Sequence, residues 1–129
     1  LDMWEKFVMI TAMAGMNCLM RGNIGEIAAT TGGAALVREF IAECASVATA
    51  AGFAPRKDYL ERIGGMLTEK GSVNNASMHH DLASGRRTEA EAIHGDMVQR
   101  AASFDLKTPL LRAAYCNLQV HENKVAARG

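Results

Sequence analysis

Apolar residues recur at helical spacing through nearly the whole chain, and this pattern constrains the fold more than any other feature. In residues 3–21 they return every three or four positions, which places them on one broad face of a helix. Only two prolines interrupt the chain, and strand signals are essentially absent. We therefore expect helices and no sheet. The apolar face of the first helix comprises Trp4, Phe7, Val8, Met13, Met16 and Met20.

Glycine, proline and capping residues divide the pattern into about seven helices. Ser77 is a good N-cap for a short helix that Gly85 ends, and Thr88 and Glu91 have the spacing of a capping box. Pro109 opens the last helix, since proline is well tolerated at the first helical position. With 129 residues, 49% of them hydrophobic, the chain predicts one all-α domain. The predicted helices cover residues 3–21, 24–29, 34–50, 58–71, 78–84, 88–104 and the segment from 109 onward.

The charge balance argues against nucleic acid or a membrane as a partner. Lys plus Arg and Asp plus Glu each number 14, so no net field attracts an anionic surface. The longest apolar stretch, around residues 7–20, is too short for a comfortable membrane span, and no targeting signal precedes it. The cysteines Cys18, Cys44 and Cys116 form no CxxC pair and lie in apolar helical patterns. We interpret them as reduced core residues of a cytoplasmic protein.

The stretch SMHHDLASGRRTEAEAIHG, residues 77–95, is unusually rich in polar side chains. A metal site is one hypothesis for it. Adjacent histidines on a helix point about 100° apart, and the chain has no HExxH motif or i, i+4 histidine pair, so we assign no metal ligand. Ser77 lies in no GxSxG elbow, so a helix cap or a place to receive a carboxylate suits it better than the role of nucleophile. The possible metal ligands are His79, His80, Asp81 and His94.

Two charged residues have no local structural explanation. Glu89 falls beside the Thr88–Glu91 pair at the first helical position, where the helix dipole favours a carboxylate by roughly 0.3 to 1 kcal/mol. An acid placed only for helix stability is the competing explanation. Lys6 lies early on the most apolar helix, where a lysine either extends to the solvent along an apolar surface or is held in a cleft.

Several short motifs form an ordered set with characteristic spacings. They are W-x-K-F at 4–7, GEI at 25–27, REFIAECASVATAAG with Glu43, SMHHD at 77–81, GRRTEAEAIHG at 85–95, and Pro109. Together they resemble the C-terminal domain of the ketopantoate reductase (2-dehydropantoate 2-reductase) family over nearly the whole chain. The resemblance implies a helical bundle of the kind found in 6-phosphogluconate dehydrogenase-like proteins. Residues 1–129 would then be its substrate-binding and dimerisation domain.

The same resemblance implies a Rossmann domain that binds NADPH and precedes this domain. That domain is absent from this chain, because no GxGxxG motif occurs and the glycine pairs at Gly32 and Gly64 follow no strand signal. The sequence also opens at Leu1 without a start methionine. This is what we expect if further residues precede Leu1 in the complete protein. We therefore expect an NADPH-dependent oxidoreductase in a longer protein, and no turnover by this chain alone.

The resemblance also implies roles for three residues. Lys6 matches the family's catalytic lysine, which polarises the substrate ketone and supplies a proton. Ser77 matches a serine that binds near the substrate carboxylate. Glu89, twelve residues later, matches a glutamate that contacts a substrate hydroxyl and lies close to the lysine. We expect Lys6 and Glu89 to be the catalytic pair, with Ser77 and Glu89 binding the substrate in the same cleft.

Two positions on the first helix depart from the family pattern. Reductases that make pantoate carry asparagines four and eight residues after the lysine, where this chain has Ile10 and Ala14. Without those side chains each substrate hydroxyl would lose a partner, at a cost of about 1 to 3 kcal/mol. We therefore interpret the chain as a paralogue that acts on a less hydroxylated 2-oxo acid or another small carbonyl compound.

A non-enzymatic function is the alternative hypothesis. A helical dimerisation module could keep the family scaffold without its chemistry, and the missing nucleotide domain together with Ile10 and Ala14 motivates this possibility. A homodimer is expected under either hypothesis. Because a helical domain without its partner domain would expose apolar surface, we also expect this chain to self-associate.

Overall fold

The computed structural model describes residues 1–128, which form seven α-helices and no strand. The all-α prediction is therefore confirmed for these residues. A π-helical turn, Glu91–Gly95, leads without a break into the sixth helix. The helices are α1 (Asp2–Met20), α2 (Ile24–Ala28), α3 (Gly33–Ala50), α4 (Lys57–Met66), α5 (Ser77–Ala83), α6 (Asp96–Ser103) and α7 (Pro109–Ala127).

The central element is α1. It packs against α3, α5 and α7, and it also contacts α2 and the π-helical turn. Val8, Ala12 and Met16 of α1 are fully buried in the main core together with Phe40 of α3. Helix α1 also contributes residues to a smaller second core. The site described below is built beside this second core. This second core comprises Ala14, Cys18, Met78, Ala90 and Leu118.

A glycine in the middle of α1 allows two rings to approach its backbone. A Cβ atom at Gly15 would lie 2.6 Å from Cζ of Phe40 and 3.1 Å from Nε2 of His94. Close-packed interiors leave no room for such an overlap. Gly15 therefore sets how closely α3 and the π-helical turn approach α1.

A buried carboxylate ties the first turn of α1 to the start of α4. Glu5 is 2% exposed, and its carboxylate accepts hydrogen bonds from the backbone N–H of Arg56 at 2.8 Å, from Nε at 3.1 Å and from Nη2 at 2.6 Å. These hydrogen bonds and the guanidinium charge lower the pKa of Glu5 to about 2. The turn of α1 that carries Lys6 is thereby held in place.

The last helix begins on a carboxylate from a distant helix. Its N-cap residue, Thr108, makes no side-chain cap hydrogen bond. Instead, Glu43 of α3 accepts hydrogen bonds from the backbone N–H groups of Leu110 at 3.1 Å and Leu111 at 3.0 Å. Two N–H groups that a helix start leaves without partners are satisfied in this way, and α7 is anchored on α3.

The helix caps predicted in the polar stretch form only in part. Helix α5 starts at Ser77 itself and has no side-chain cap hydrogen bond, so the predicted Ser77 cap is wrong. The hydroxyl oxygen of Thr88 accepts a hydrogen bond from the backbone N–H of Ala90 at 3.2 Å, but the capping box is not completed, because the Glu91 carboxylate is instead bound by α7. Glu89 lies in a bend immediately before the helical residues and not at their first position.

One helix boundary and one burial prediction also differ from the sequence pattern. Helix α4 ends at Met66, several residues before the predicted end near 71. Cys18 and Cys44 are buried as predicted, and burial raises the pKa of the Cys18 thiol to about 12. Cys116 is exposed, because it lies about 200° around α7 from the buried Ala114.

Candidate functional site

A cavity of about 220 Å³ lies between α1, α5 and the bend that precedes the π-helical turn. We call it the inner cavity. Ser77 and Glu89 both line it, so two of the three predicted site residues share one space although they belong to different elements. The lining residues are Ile10, Ala14, Ala76, Ser77, Met78, Asp81, Glu89 and Ile93.

Lys6 lies on α1 one helical turn before the inner cavity. Its side chain is exposed and does not line the cavity, whereas Ile10 and Ala14 do. Because residues four apart lie on one side of a helix, Lys6 shares a face of α1 with both. Among residues 1–128, no carboxylate forms an ion pair with its amine.

The two acidic side chains of the inner cavity differ in their partners. Asp81, one turn after Ser77 on α5, accepts a hydrogen bond from Nε of Arg86 at 3.1 Å and forms an ion pair with its Nη2 at 3.1 Å. Glu89 is exposed and forms no ion pair within the described part of the chain. Its carboxylate can therefore accept a hydrogen bond from a ligand.

Helix α7 fixes the loop that carries Glu89. Nε2 of His121 donates a hydrogen bond to the carbonyl oxygen of Arg86 at 2.6 Å. The carboxylate of Glu122 accepts hydrogen bonds from the backbone N–H of Thr88 at 3.0 Å and from its hydroxyl at 3.1 Å. Hydrogen bonds to a charged group are stronger than neutral ones. The backbone on the N-terminal side of Glu89 is thus held by three hydrogen bonds.

The π-helical turn follows this bend and places Ile93 in the wall of the cavity. The backbone N–H of Ile93 donates to the carbonyl oxygen of Glu89 at 3.1 Å. The hydroxyl of Tyr115 donates to the Glu91 carboxylate, with O···O distances of 2.7 and 2.8 Å to its two oxygens. Turns of this kind are rare in helices and are frequently found at functional sites.

A buried histidine connects the π-helical turn to α1. His94 is fully buried, and its Nε2 donates a hydrogen bond to the carbonyl oxygen of Thr11 at 2.9 Å. Burial lowers the pKa of His94 to about 4, because the imidazolium form would lose its hydration. Its Nδ1 has no hydrogen-bond partner among residues 1–128. The neutral ring therefore joins the two walls of the inner cavity.

Sequence reasoning did not identify every residue of this site. Asp81 and Ile93 could have been added from spacing alone, because they follow Ser77 and Glu89 by four residues. The contacts made by His121 and Glu122 had no such signal, since each joins residues more than thirty positions apart.

The histidines of the polar stretch do not converge. Among residues 1–128, no group of three or more His, Cys, Asp or Glu side chains could hold a metal ion. His79 interacts through Nδ1 with Oδ1 of Asn75 at 3.0 Å, and His94 is bound to α1.

No helix in the described residues has the length and apolar character needed to cross a lipid bilayer.

The relatives of this chain indicate its class of protein. Over 121 residues the chain is 30% identical to the "Uncharacterized oxidoreductase YkpB" of Bacillus subtilis, covering 94% of this chain and 40% of the relative. It is 34% identical over 110 residues to a 2-dehydropantoate 2-reductase of Caulobacter vibrioides, covering 84% and 37%. A dimeric ketopantoate reductase from Staphylococcus aureus shares the fold, with a TM-score of 0.86 at 22% identity, over 96% of this chain and 43% of that one. These relatives are oxidoreductases.

A sequence profile of one protein family matches nearly the whole chain. The profile described as "Ketopantoate reductase PanE/ApbA C terminal" matches residues 1–122. The chain belongs to the ketopantoate reductase family and corresponds to its C-terminal helical domain. It spans about 40% of the length of the curated relatives it matches.

The described residues contain no Rossmann-type phosphate-binding turn for a dinucleotide cofactor. A Rossmann site requires a strand followed by a glycine-rich turn and a helix, and residues 1–128 contain no strand. Gly32 is the N-cap of α3, and Gly64 lies inside α4. NADPH, which the family resemblance implies, therefore has no phosphate-binding turn in this part of the chain.

Proposed function

We propose that this chain is the substrate-binding and catalytic domain of an NADPH-dependent reductase that converts a small 2-oxo acid into a 2-hydroxy acid. The rest of the protein would contain the nucleotide-binding domain. The inner cavity carries the proposal, because Ser77 and Glu89 line it together with residues one and two turns after Lys6. Its volume of about 220 Å³ suits a small keto acid.

Lys6 would be the proton donor. NADPH, when bound by the nucleotide domain, supplies the hydride for such a reduction. The ketone oxygen gains negative charge during the reaction, and a positioned ammonium group can polarise the carbonyl and then protonate the alkoxide. The adjacent Glu5–Arg56 contact supports this role, because it fixes the turn of α1 from which Lys6 projects.

Ser77 and Glu89 would orient the substrate. The Ser77 hydroxyl can donate a hydrogen bond to the substrate carboxylate, and the Glu89 carboxylate can accept one from a hydroxyl group of the substrate or product. Glu89 also attracts the ammonium group of Lys6 toward the reacting carbonyl. The three hydrogen bonds that hold the loop before Glu89 support a fixed position for this carboxylate.

The apolar wall of the cavity defines the kind of 2-oxo acid. Ile10, Ala14, Met78 and Ile93 offer no hydrogen-bonding side chain. A hydroxyl group placed against them would lose its hydrogen bonds to water, at a cost of about 1 to 3 kcal/mol. We therefore propose a substrate that is less hydroxylated than 2-dehydropantoate, with an alkyl group on the carbon next to the ketone.

The test uses the full-length protein and a panel of 2-oxo acids, with turnover followed by the loss of NADPH absorbance. Replacing Lys6 by alanine should lower kcat by about 10² to 10⁴, the usual contribution of general acid catalysis, and leave NADPH affinity unchanged. The matched control is Lys57→Ala, which removes an exposed lysine from the first turn of α4. If Lys6→Ala and Lys57→Ala have equal kcat values, the proposed mechanism is excluded.

We also propose that the full-length protein forms a homodimer. The dimeric Staphylococcus aureus enzyme supports this proposal. Sedimentation should give twice the protomer mass, and a monomer at high concentration would contradict the proposal. A dimer that reduces no 2-oxo acid of the panel would favour the non-enzymatic module.

A further inference from the structure

A second cavity adjoins the inner cavity, and Ile93 lines both. The second cavity has a volume of about 320 Å³ and lies between α1, the π-helical turn and α6. We call it the aromatic pocket. It is lined by Met3, Trp4, Phe7, Ala92, Ile93, Asp96 and Arg100.

One stripe of α1 passes along both cavities. Met3 and Phe7 line the aromatic pocket, and Ile10 and Ala14 line the inner cavity. These positions are separated by three or four residues, so their side chains follow one another on the same face of the helix. Ile93 packs beside this stripe from the π-helical turn and is half-buried.

The aromatic pocket suits an uncharged aryl or alkyl group. The ring centroids of Trp4 and Phe7 are 5.7 Å apart, and Cζ of Arg100 lies 5.1 Å from the Trp4 centroid. The charge of Arg100 is paired with Asp96 at 3.2 Å, so the two charged residues of the pocket compensate each other. An apolar lining with paired charges favours an uncharged aryl or alkyl group over a further anion.

We propose that Ile93 determines substrate specificity by confining the side chain of the 2-oxo acid to the inner cavity. The inference rests on the proposed function. The wild-type protein then prefers 2-oxo acids with short, branched alkyl side chains. When Ile93 is shortened, the aromatic pocket becomes continuous with the inner cavity, and an aryl side chain can extend along the α1 stripe past Phe7.

The test compares 3-methyl-2-oxobutanoate with 2-oxo-3-phenylpropanoate in the full-length protein. Ile93→Ala should raise the ratio of kcat/KM for the phenyl compound over the branched one by about tenfold or more, since contacts of one or a few methylenes discriminate at that level. Ile93→Val should raise it less, and it serves if the alanine variant folds poorly. Val98→Ala, a half-buried valine of α6 outside both cavities, should leave the ratio unchanged.

Binding of the same two acids, measured by calorimetry without NADPH, separates this inference from the proposed function. If the wild-type protein turns over 2-oxo acids and neither Ile93 variant changes the ratio, the role of Ile93 is wrong. If nothing is turned over but Ile93→Ala shifts the binding preference toward the phenyl compound, the reductase proposal fails and the partition by Ile93 stands. If Ile93→Ala changes the preference between the two acids neither in turnover nor in binding, the proposed role of Ile93 is overturned.

Discussion

The buried imidazole of His94 should make the stability of this domain depend on pH in a defined window. In the native state its pKa is lowered to about 4 from an ordinary value of 6.5, because the ring is fully buried. The unfolded chain therefore binds a proton at this site below pH 6.5, whereas the native state binds it only near pH 4. The stability contributed by the neutral ring is complete above 6.5 and is lost as the pH falls toward 4.

The magnitude follows from the difference in pKa. Each pKa unit is worth about 1.4 kcal/mol, so a change from 6.5 to about 4 amounts to about 3 to 4 kcal/mol in full. Most of this difference is lost between pH values of about 7.5 and 4.5, so His94 should account for a decrease of about 2 to 3 kcal/mol in the free energy of unfolding. Such a decrease is large for a domain of this size.

Urea unfolding at several pH values measures the effect. His94→Gln keeps an N–H that can donate to the Thr11 carbonyl but removes the titrating ring, so the variant should lose about 2 to 3 kcal/mol less than the wild type over the same pH range. His80→Gln, which replaces an exposed histidine of α5, is the matched control. Equal pH dependence in His94→Gln and the wild type would refute the reasoning.

Two further predictions concern stability. Gly15→Ala places a Cβ 2.6 Å from Phe40 and should lower the free energy of unfolding by about 1 to 3 kcal/mol in a urea titration. In contrast, Gly65→Ala, in a helical position with open space, should be neutral or stabilising by up to about 1 kcal/mol, and equal effects would contradict this. Glu43→Gln weakens the cap on α7 and should lower the free energy of unfolding by about 1 to 2 kcal/mol. Glu39→Gln, at an exposed position of the same helix, should lower it little. If calorimetry ranks the two variants in the reverse order, the cap is excluded.

The helices could be predicted from local signals, and their ends only in part. Apolar spacing predicted α1 and α3 because their buried faces repeat at the helical period, and Pro109 marked the start of α7. The capping prediction at Ser77 failed, and at Thr88 only the hydrogen bond from the Ala90 N–H formed. The carboxylate of Glu91 binds Tyr115, twenty-four residues away, and no local pattern reveals such a partner.

The candidate site, like the helix ends, could be predicted only in part. The family motifs assigned Ser77 and Glu89, and both line the inner cavity. The roles of all three residues stay predictions, and the side chain of Lys6 lies outside the lining residues. The neighbourhood of Ile93 could not be foreseen, because it depends on how the π-helical turn packs against α1 in three dimensions.

The walls of the inner cavity come from α1 and from residues 76–93, which lie more than sixty positions apart in sequence. An unfolded chain cannot hold these walls together, so a small molecule that occupies the space recognises only the folded form. Mass action then raises the melting temperature, and a compound present at a hundred times its dissociation constant adds about 2.7 kcal/mol. Thermal-shift screening could therefore find ligands for this domain without any measurement of turnover.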